Sequence, residues 1–382
     1  MKDYNFDKNI DRISTHSTKW LKFDNPEILP MWIADMDFAS PPEVIQAIKK
    51  RADLGIFGYT ELPPDLTPLL QDRILKHSGW EIDPEWVTWM PGVVVGLNVA
   101  CRTILSLGDM VVTPSPIYAP FVYAPDNMNR GILRTSLLNN KGRLELDYAS
   151  IESLINKDTK MFFFCNPHNP GGTLFEESEI KKLVDICVEK EIIICADEIH
   201  SDLVLDVERK HIHLAQTSKS AANNSITLVS PTKTFNMQGL PCGAAIIPND
   251  EIRKEFRRNM RGISAHISIF SYIGAEAAYK YGEPWHKALI EYLRGNKEYL
   301  ANEINDIEGI SLYGPEATYL AWIDCSSSGL DNPADFFINA GVGVHDGKWF
   351  GNKDFVRLNF GCPRSILEEA VSRIKKAFSQ RN

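Results

Sequence analysis

The sequence predicts an α/β protein: a large three-layer α/β/α domain around a mostly parallel sheet, plus a smaller α+β domain. Three observations predict it. Five short apolar runs punctuate the middle of the chain, each closed by proline, Asn-Pro or aspartate. They are continuous rather than alternating, the pattern of strands buried on both faces. Segments of helical apolar period lie between them, and past Trp285 the pattern changes to a long amphipathic helix, short strands and a terminal helix.

Taken in order, residues 1–45 are rich in Pro and Trp and read as an arm that wraps onto the body and joins the small domain. The first helix signal is Ser40-Pro41-Pro42. Residues 93–107 read as a buried helix opened by Pro91-Gly92. The five runs are 110–113 (closed by Pro114), 160–165 (by Asn166-Pro167), 192–196 (by Asp197), 226–230 (by Pro231) and 243–247 (by Pro248). Residues 179–190 place Ile180, Leu183, Val184 and Cys187 on one helical face. Residues 285–304 do the same with Leu289, Leu293, Leu300 and Ile304. Strands at 319–324 and 355–359 and a helix at 365–378 complete the small domain. The expected division is an arm at 1–45, a large domain at 46–286 and a small domain at 287–382.

Acidic and basic residues interleave along the chain, with a net charge of −9 and no basic stripe, so nucleic acid is not an expected partner. No apolar run has the length needed to cross a bilayer, and the polar start lacks the apolar region of a secretory signal. Cys101, Cys165, Cys187, Cys195, Cys242, Cys325 and Cys362 are scattered without CxxC or metal-like spacing. They read as reduced core thiols of a cytoplasmic protein without a bound metal.

Ligands of open α/β sheets sit outside the carboxyl ends of the strands. Three polar groups follow the proposed strands directly: 166–172 (NPHNPGG), 197–200 (DEIH) and 230–233 (SPTK). An amide, a carboxylate and an amine thus converge, which suggests one cofactor. Lys233 reads either as a solvated strand-end lysine or as an amine that forms a Schiff base. Asp197 reads as a turn former or as a buried carboxylate paired with a pyridinium nitrogen, and His200 is either solvated or supports it by hydrogen bonding. Residues 91–96 open a helix whose first N–H groups can cradle a phosphate.

These segments together resemble the fold-type I pyridoxal-phosphate enzymes of the aminotransferase superfamily. Asn-Pro-x-Asn-Pro-x-Gly, the strand-end Asp197 and Ser-x-x-Lys occur in the expected order and spacing. Residues 29–38 (LPMWIADMDF) resemble the N-terminal signature of the MalY/PatB branch, the cystathionine β-lyases and cystalysin-like C–S lyases. Residues 57–59, 197–200, 233–236, 346–351 and 357–359 match that branch as well.

The resemblance implies that pyridoxal 5′-phosphate is held by Lys233 as a Schiff base, and that Lys233 is the catalytic residue. It implies that Asp197, supported by His200, pairs with the pyridine nitrogen, that Asn169 bonds the ring hydroxyl oxygen, and that Tyr118 stacks on the ring. The Val93 and Val94 N–H groups and Ser230 would hold the phosphate. Tyr59 would reach the phosphate of a neighbouring subunit, which implies a homodimer with shared active sites. Arg357 would clamp the α-carboxylate of a small amino-acid substrate, with Ala34 and Asn169 beside it. Two departures stand out: residues 236–243 carry no arginine for the phosphate, and His345 falls where a small or amide residue is expected.

The activity implied is cleavage of L-cystathionine or related S-substituted cysteines to a thiol, pyruvate and ammonia. An aminotransferase of class I/II would begin with the same residues. A third reading is a pyridoxal-phosphate-binding regulator without turnover. It fits less well, because the stretch before Ser40 is short and not basic enough for a DNA-binding domain.

Overall fold

A computed structural model describes residues 4–381. Its centre is an eight-stranded sheet made of β1 (Val87–Met90), β2 (Met110–Ser115), β3 (Gly131–Asn140), β4 (Arg143–Leu146), β5 (Thr159–Cys165), β6 (Ile193–Asp197), β7 (Ser225–Val229) and β8 (Gly243–Ile246). The spatial order is β1-β8-β7-β6-β5-β2-β3-β4. The pairs β7–β6, β6–β5, β5–β2 and β2–β3 are parallel. Only β8 and the edge strand β4 run against this direction.

The principal helices are α1 (Pro42–Ala52), α2 (Leu66–Ser78), α3 (Val93–Ile104), α4 (Glu177–Glu189), α5 (Asp250–Met260), α6 (Ile269–Tyr281), α7 (Glu283–Asn305) and α8 (Arg364–Ser379). Successive side chains of β5 point to opposite faces, so its continuous apolar run fills two cores at once. Phe163 joins Leu97, Phe121 and Phe256 on the α3–α5 side. Phe162 and Phe164 join Ile180, Leu183 and Val184 of α4 on the other. These two cores make the three layers.

The C-terminal part forms a four-stranded sheet from β9 (Ser311–Tyr313), β10 (Leu320–Asp324), β11 (His345–Asp346) and β12 (Phe355–Asn359), in the order β9-β10-β12-β11. Leu289, Leu293, Leu300 and Ile304 of α7 are fully buried against it, with Leu367, Val371 and Ile374 of α8. Phe6, Met31, Met36 and Phe38 belong to the same core, so the N-terminal arm packs on this part of the chain. Leu29–Pro30 also pairs in parallel with Val342–Gly343.

Pro114 lies inside β2 instead of closing it. Beyond Val112 the strand pairs only with β3, so the missing proline N–H breaks no ladder to β5. Strands β3 and β4 escaped the sequence pattern because they form the sheet edge. Half-exposed β3 splits its apolar residues into the short pairs Ile132-Leu133 and Leu137-Leu138 and ends in Asn139 and Asn140, with no continuous apolar run. Among the described residues, no helix is long and apolar enough to cross a membrane.

Candidate active site

The carboxyl ends of β5, β6 and β7, the start of α3 and the arm surround a cavity of about 910 Å³. Its lining includes Asn169, Asp197, His200, Lys233, Arg357, Tyr118, Val93, Val94 and Ala34. Nine residues singled out in the sequence therefore meet in one place.

Lys233 follows β7 in a tight loop and keeps part of its surface open to the cavity. Its Nζ donates to the Ala34 carbonyl oxygen at 2.7 Å. Burial, with Arg357 acting the same way, lowers this amine to about 8, so the neutral form is accessible near neutral pH. Asp197 ends β6 and is 5% exposed. Its Oδ1 accepts the Ile199 N–H at 3.0 Å, and among the described residues it has no ion-pair partner. Burial raises the carboxyl to about 7, and the Glu198 charge adds to this.

His200 is buried beside the Tyr319 ring, 6.2 Å between centroids. Its Nδ1 has no hydrogen-bond partner among the described residues, and burial holds it neutral, at about 3. No hydrogen bond to Asp197 is formed in this arrangement. Glu198, next to Asp197, points elsewhere. It is fully buried and accepts from the Leu214 N–H at 2.8 Å, with His211 and His213 on its other oxygen.

Arg357 comes from β12 and is 2% exposed. Its Nη1 donates to Asn169 Oδ1 at 2.8 Å and its Nη2 to the Trp32 carbonyl at 2.9 Å. The guanidinium lies over the Phe350 ring at 4.6 Å. Among the described residues no carboxylate neutralises it, and its Nε is unpartnered. A buried cation without an anion is costly unless a ligand supplies one.

Asn169 is carried on the turn after β5, whose Gly172 has φ +73°. A Cβ there would lie 2.8 Å from Pro315 Cα, so only glycine lets this turn approach the C-terminal part. Gly92 at φ +107° starts α3, whose first turn faces the cavity with free N–H groups. Tyr118 packs 5.3 Å from Trp349.

Two expected residues, one of them expected at a neighbouring subunit's site, do not line this cavity. The Ser230 hydroxyl donates to the Cys242 carbonyl at 2.6 Å and is 2.8 Å from the Thr232 hydroxyl; its side chain does not line this cavity, whereas Thr232 does. Tyr59 is 97% exposed and outside the cavity of its own chain. Residues 236–243 line the cavity without an arginine, through Asn236, Gln238, Gly239 and Pro241. Sequence reasoning missed Gln238 and Tyr319, which both donate to the Ala34 carbonyl, at 3.3 and 3.2 Å. A lone Gln in a loop and a Tyr at a strand start carry no pattern that would have marked them.

The arm is tied down from both sides. Asn236, near Lys233, donates to the Met36 and Phe38 carbonyls, and Asn359 of β12 donates to those of Ile33 and Asp35. Within the arm, Lys19 pairs with Asp37 at 2.6 Å and Arg12 with Asp35 at 2.8 Å.

Comparison with known proteins decides the family. The model of aminotransferase class I and II matches residues 26–374. The chain belongs to that family. Within it, the chain falls in the MalY/PatB branch: it is 36% identical to cystathionine β-lyase PatB of Bacillus subtilis (strain 168), over 98% of this chain and 100% of that one. The crystal structure of OvoB superposes with a TM-score of 0.96 at 41% identity, covering 98% and 99% of the two chains. Cystalysin from Treponema denticola, whose structure contains pyridoxal 5′-phosphate, gives 0.95 at 29% identity over the whole of both chains.

Proposed function

We propose that this chain is a pyridoxal-phosphate-dependent C–S β-lyase that releases a thiol, pyruvate and ammonia from L-cystathionine or a related S-substituted cysteine. One observation carries it: a cavity that gathers an amine of lowered pKa with, among the described residues, a buried carboxyl without a cation and a buried guanidinium without an anion. Each unmatched group has a counterpart in the cofactor or in an amino acid. Lys233 fits the cofactor aldehyde, Asp197 its ring nitrogen, the first turn of α3 its phosphate, and Arg357 a substrate carboxylate.

When bound, the cofactor supplies a protonated ring that accepts the electron pair left at Cα. Arg357 and Asn169 hold the carboxylate end of the substrate. Asp197, sheltered from water, keeps the ring nitrogen protonated. Lys233 removes the Cα proton as a general base. The Cβ–S bond then breaks, sulfur leaves with its electron pair and is protonated to the thiol, and water is consumed in forming pyruvate and ammonia. Tyr118 and Trp349 exclude water from one wall.

The names of PatB and cystalysin support the lyase reading over an aminotransferase. The discriminating experiment asks whether turnover needs an added 2-oxoglutarate or pyruvate, as transamination does and β-elimination does not. We also place the chain in a cytoplasmic homodimer with shared sites, the fully exposed Tyr59 serving the neighbouring phosphate. The seven free, buried cysteines are compatible with a reducing compartment. The arm at 1–45, the large cofactor-binding unit at 46–286 and the small unit at 287–382 are the working division.

A further inference from the structure

His345 sits directly opposite Arg357 in the antiparallel register of β11 and β12. Such a pair brings side chains together on one face of a sheet. The imidazole Nδ1 lies 3.3 Å from Arg357 Nη2. A guanidinium only donates, so in this contact the imidazole nitrogen is the acceptor, which assigns the ring the tautomer with its proton on Nε2. The ring is fixed by neighbours on three sides: Trp349 at 4.7 Å, Phe350 at 4.9 Å and Trp32 at 5.6 Å between centroids.

Among the described residues, Arg357 is thus oriented by neutral acceptors: Asn169 Oδ1, the Trp32 carbonyl and His345 Nδ1. A carboxylate at position 345 would orient the fork equally well but take its charge. A leucine would leave Nη2 with one acceptor. We propose that His345 is a positioning residue for carboxylate recognition, holding the Arg357 fork in place while leaving its charge for the substrate. The inference rests on the reading of Arg357 as the carboxylate-binding residue. Burial, with Arg357 and Lys22 acting the same way and outweighing a hydrogen bond to the Trp32 backbone, keeps the imidazole neutral, at about 3, in support of this arrangement.

The test uses the cofactor-loaded enzyme and two ligands: L-alanine, which has no group to eliminate, and ethylamine, which has no carboxylate. Binding of each is measured by calorimetry, and KM and kcat are measured with L-cystathionine. His345→Leu is expected to weaken L-alanine about tenfold, the loss of one hydrogen bond to a charged group. Ethylamine is expected to bind as before, and KM to rise while kcat holds. His345→Asn restores L-alanine binding, because its carbonyl oxygen is again an acceptor. His345→Asp, which retains a polar side chain should the leucine variant not fold, weakens L-alanine further.

Unchanged L-alanine binding in His345→Leu or His345→Asp, or a parallel loss of ethylamine, overturns the proposal. Arg357→Lys separates the two readings. If it alone weakens L-alanine, the role of His345 falls and that of Arg357 stands; if it leaves L-alanine unchanged, the reading of Arg357 falls and the proposal with it.

Discussion

Lys233 Nζ and the Ala34 carbonyl oxygen meet at 2.7 Å across 199 residues of sequence. The same oxygen receives Gln238 and Tyr319, so the arm provides the point on which the Lys233 amine rests. Asn236 and Asn359 anchor the arm to the Lys233 loop and to the Arg357 strand. The geometry of the amine therefore depends on how firmly residues 32–38 are held.

Asp37 tests that dependence. It is 5% exposed and binds Lys19, itself 1% exposed, together with Arg12 and the Trp20 indole N–H. Asp37→Ala leaves a buried ammonium unpaired, which costs about 3–5 kcal/mol. Urea denaturation is expected to show that loss, with lowered turnover in the folded variant because Ala34 is no longer fixed. A stability within about 1 kcal/mol of wild type, the range of an exposed pair, would show that this latch does not hold the arm.

The carboxyl of Asp197 gives a pH signature in the cofactor-free protein. Its folded pKa of about 7 lies above the ordinary value of 3.8. The folded state therefore binds the proton more tightly, and this contribution to stability is full below 3.8 and is lost as pH rises through 7. Asp197→Asn has no such titration. The stability of the variant relative to wild type is expected to rise between pH 4 and 7, by roughly 2–4 kcal/mol. Comparing the two proteins cancels His200 and Glu198, which titrate in both. A pH-independent difference would contradict the unpaired, buried carboxyl.

Tyr59 bears on the assembly. Sedimentation is expected to give twice the 43.1 kDa chain mass. Tyr59→Phe is expected to keep that mass and raise the cofactor dissociation constant about tenfold, as loss of a hydrogen bond to a charged phosphate does. A monomer that binds the cofactor fully would remove Tyr59 from the site.

The parts legible in the sequence were those dictated by local chemistry. A strand buried on both faces must be continuously apolar, so β5, β6 and β7 announced themselves, and the polar residues closing them led to Asn169, Asp197 and Lys233. The edge strands β3 and β4 carry no such constraint and were invisible. Arg357 was marked only by family resemblance, since its burial follows from the packing of Phe350, Trp32 and Asn169 around it. The convergence of Gln238 and Tyr319 on one carbonyl oxygen is a product of tertiary folding, and no periodicity encodes it. The hydroxyl of Ser230 shows the converse: a motif position whose hydrogen bonds are taken up within its own loop.

The most direct test of the proposed activity is pyruvate release from L-cystathionine by the cofactor-loaded enzyme, with no keto acid added, beside the Lys233→Ala variant. Many turnovers per active site are expected from the wild type, with a rate at least ~10²-fold lower in the variant, the scale of a lost general base. Turnover that requires added 2-oxoglutarate, or a Lys233→Ala protein that works at the wild-type rate, would contradict it.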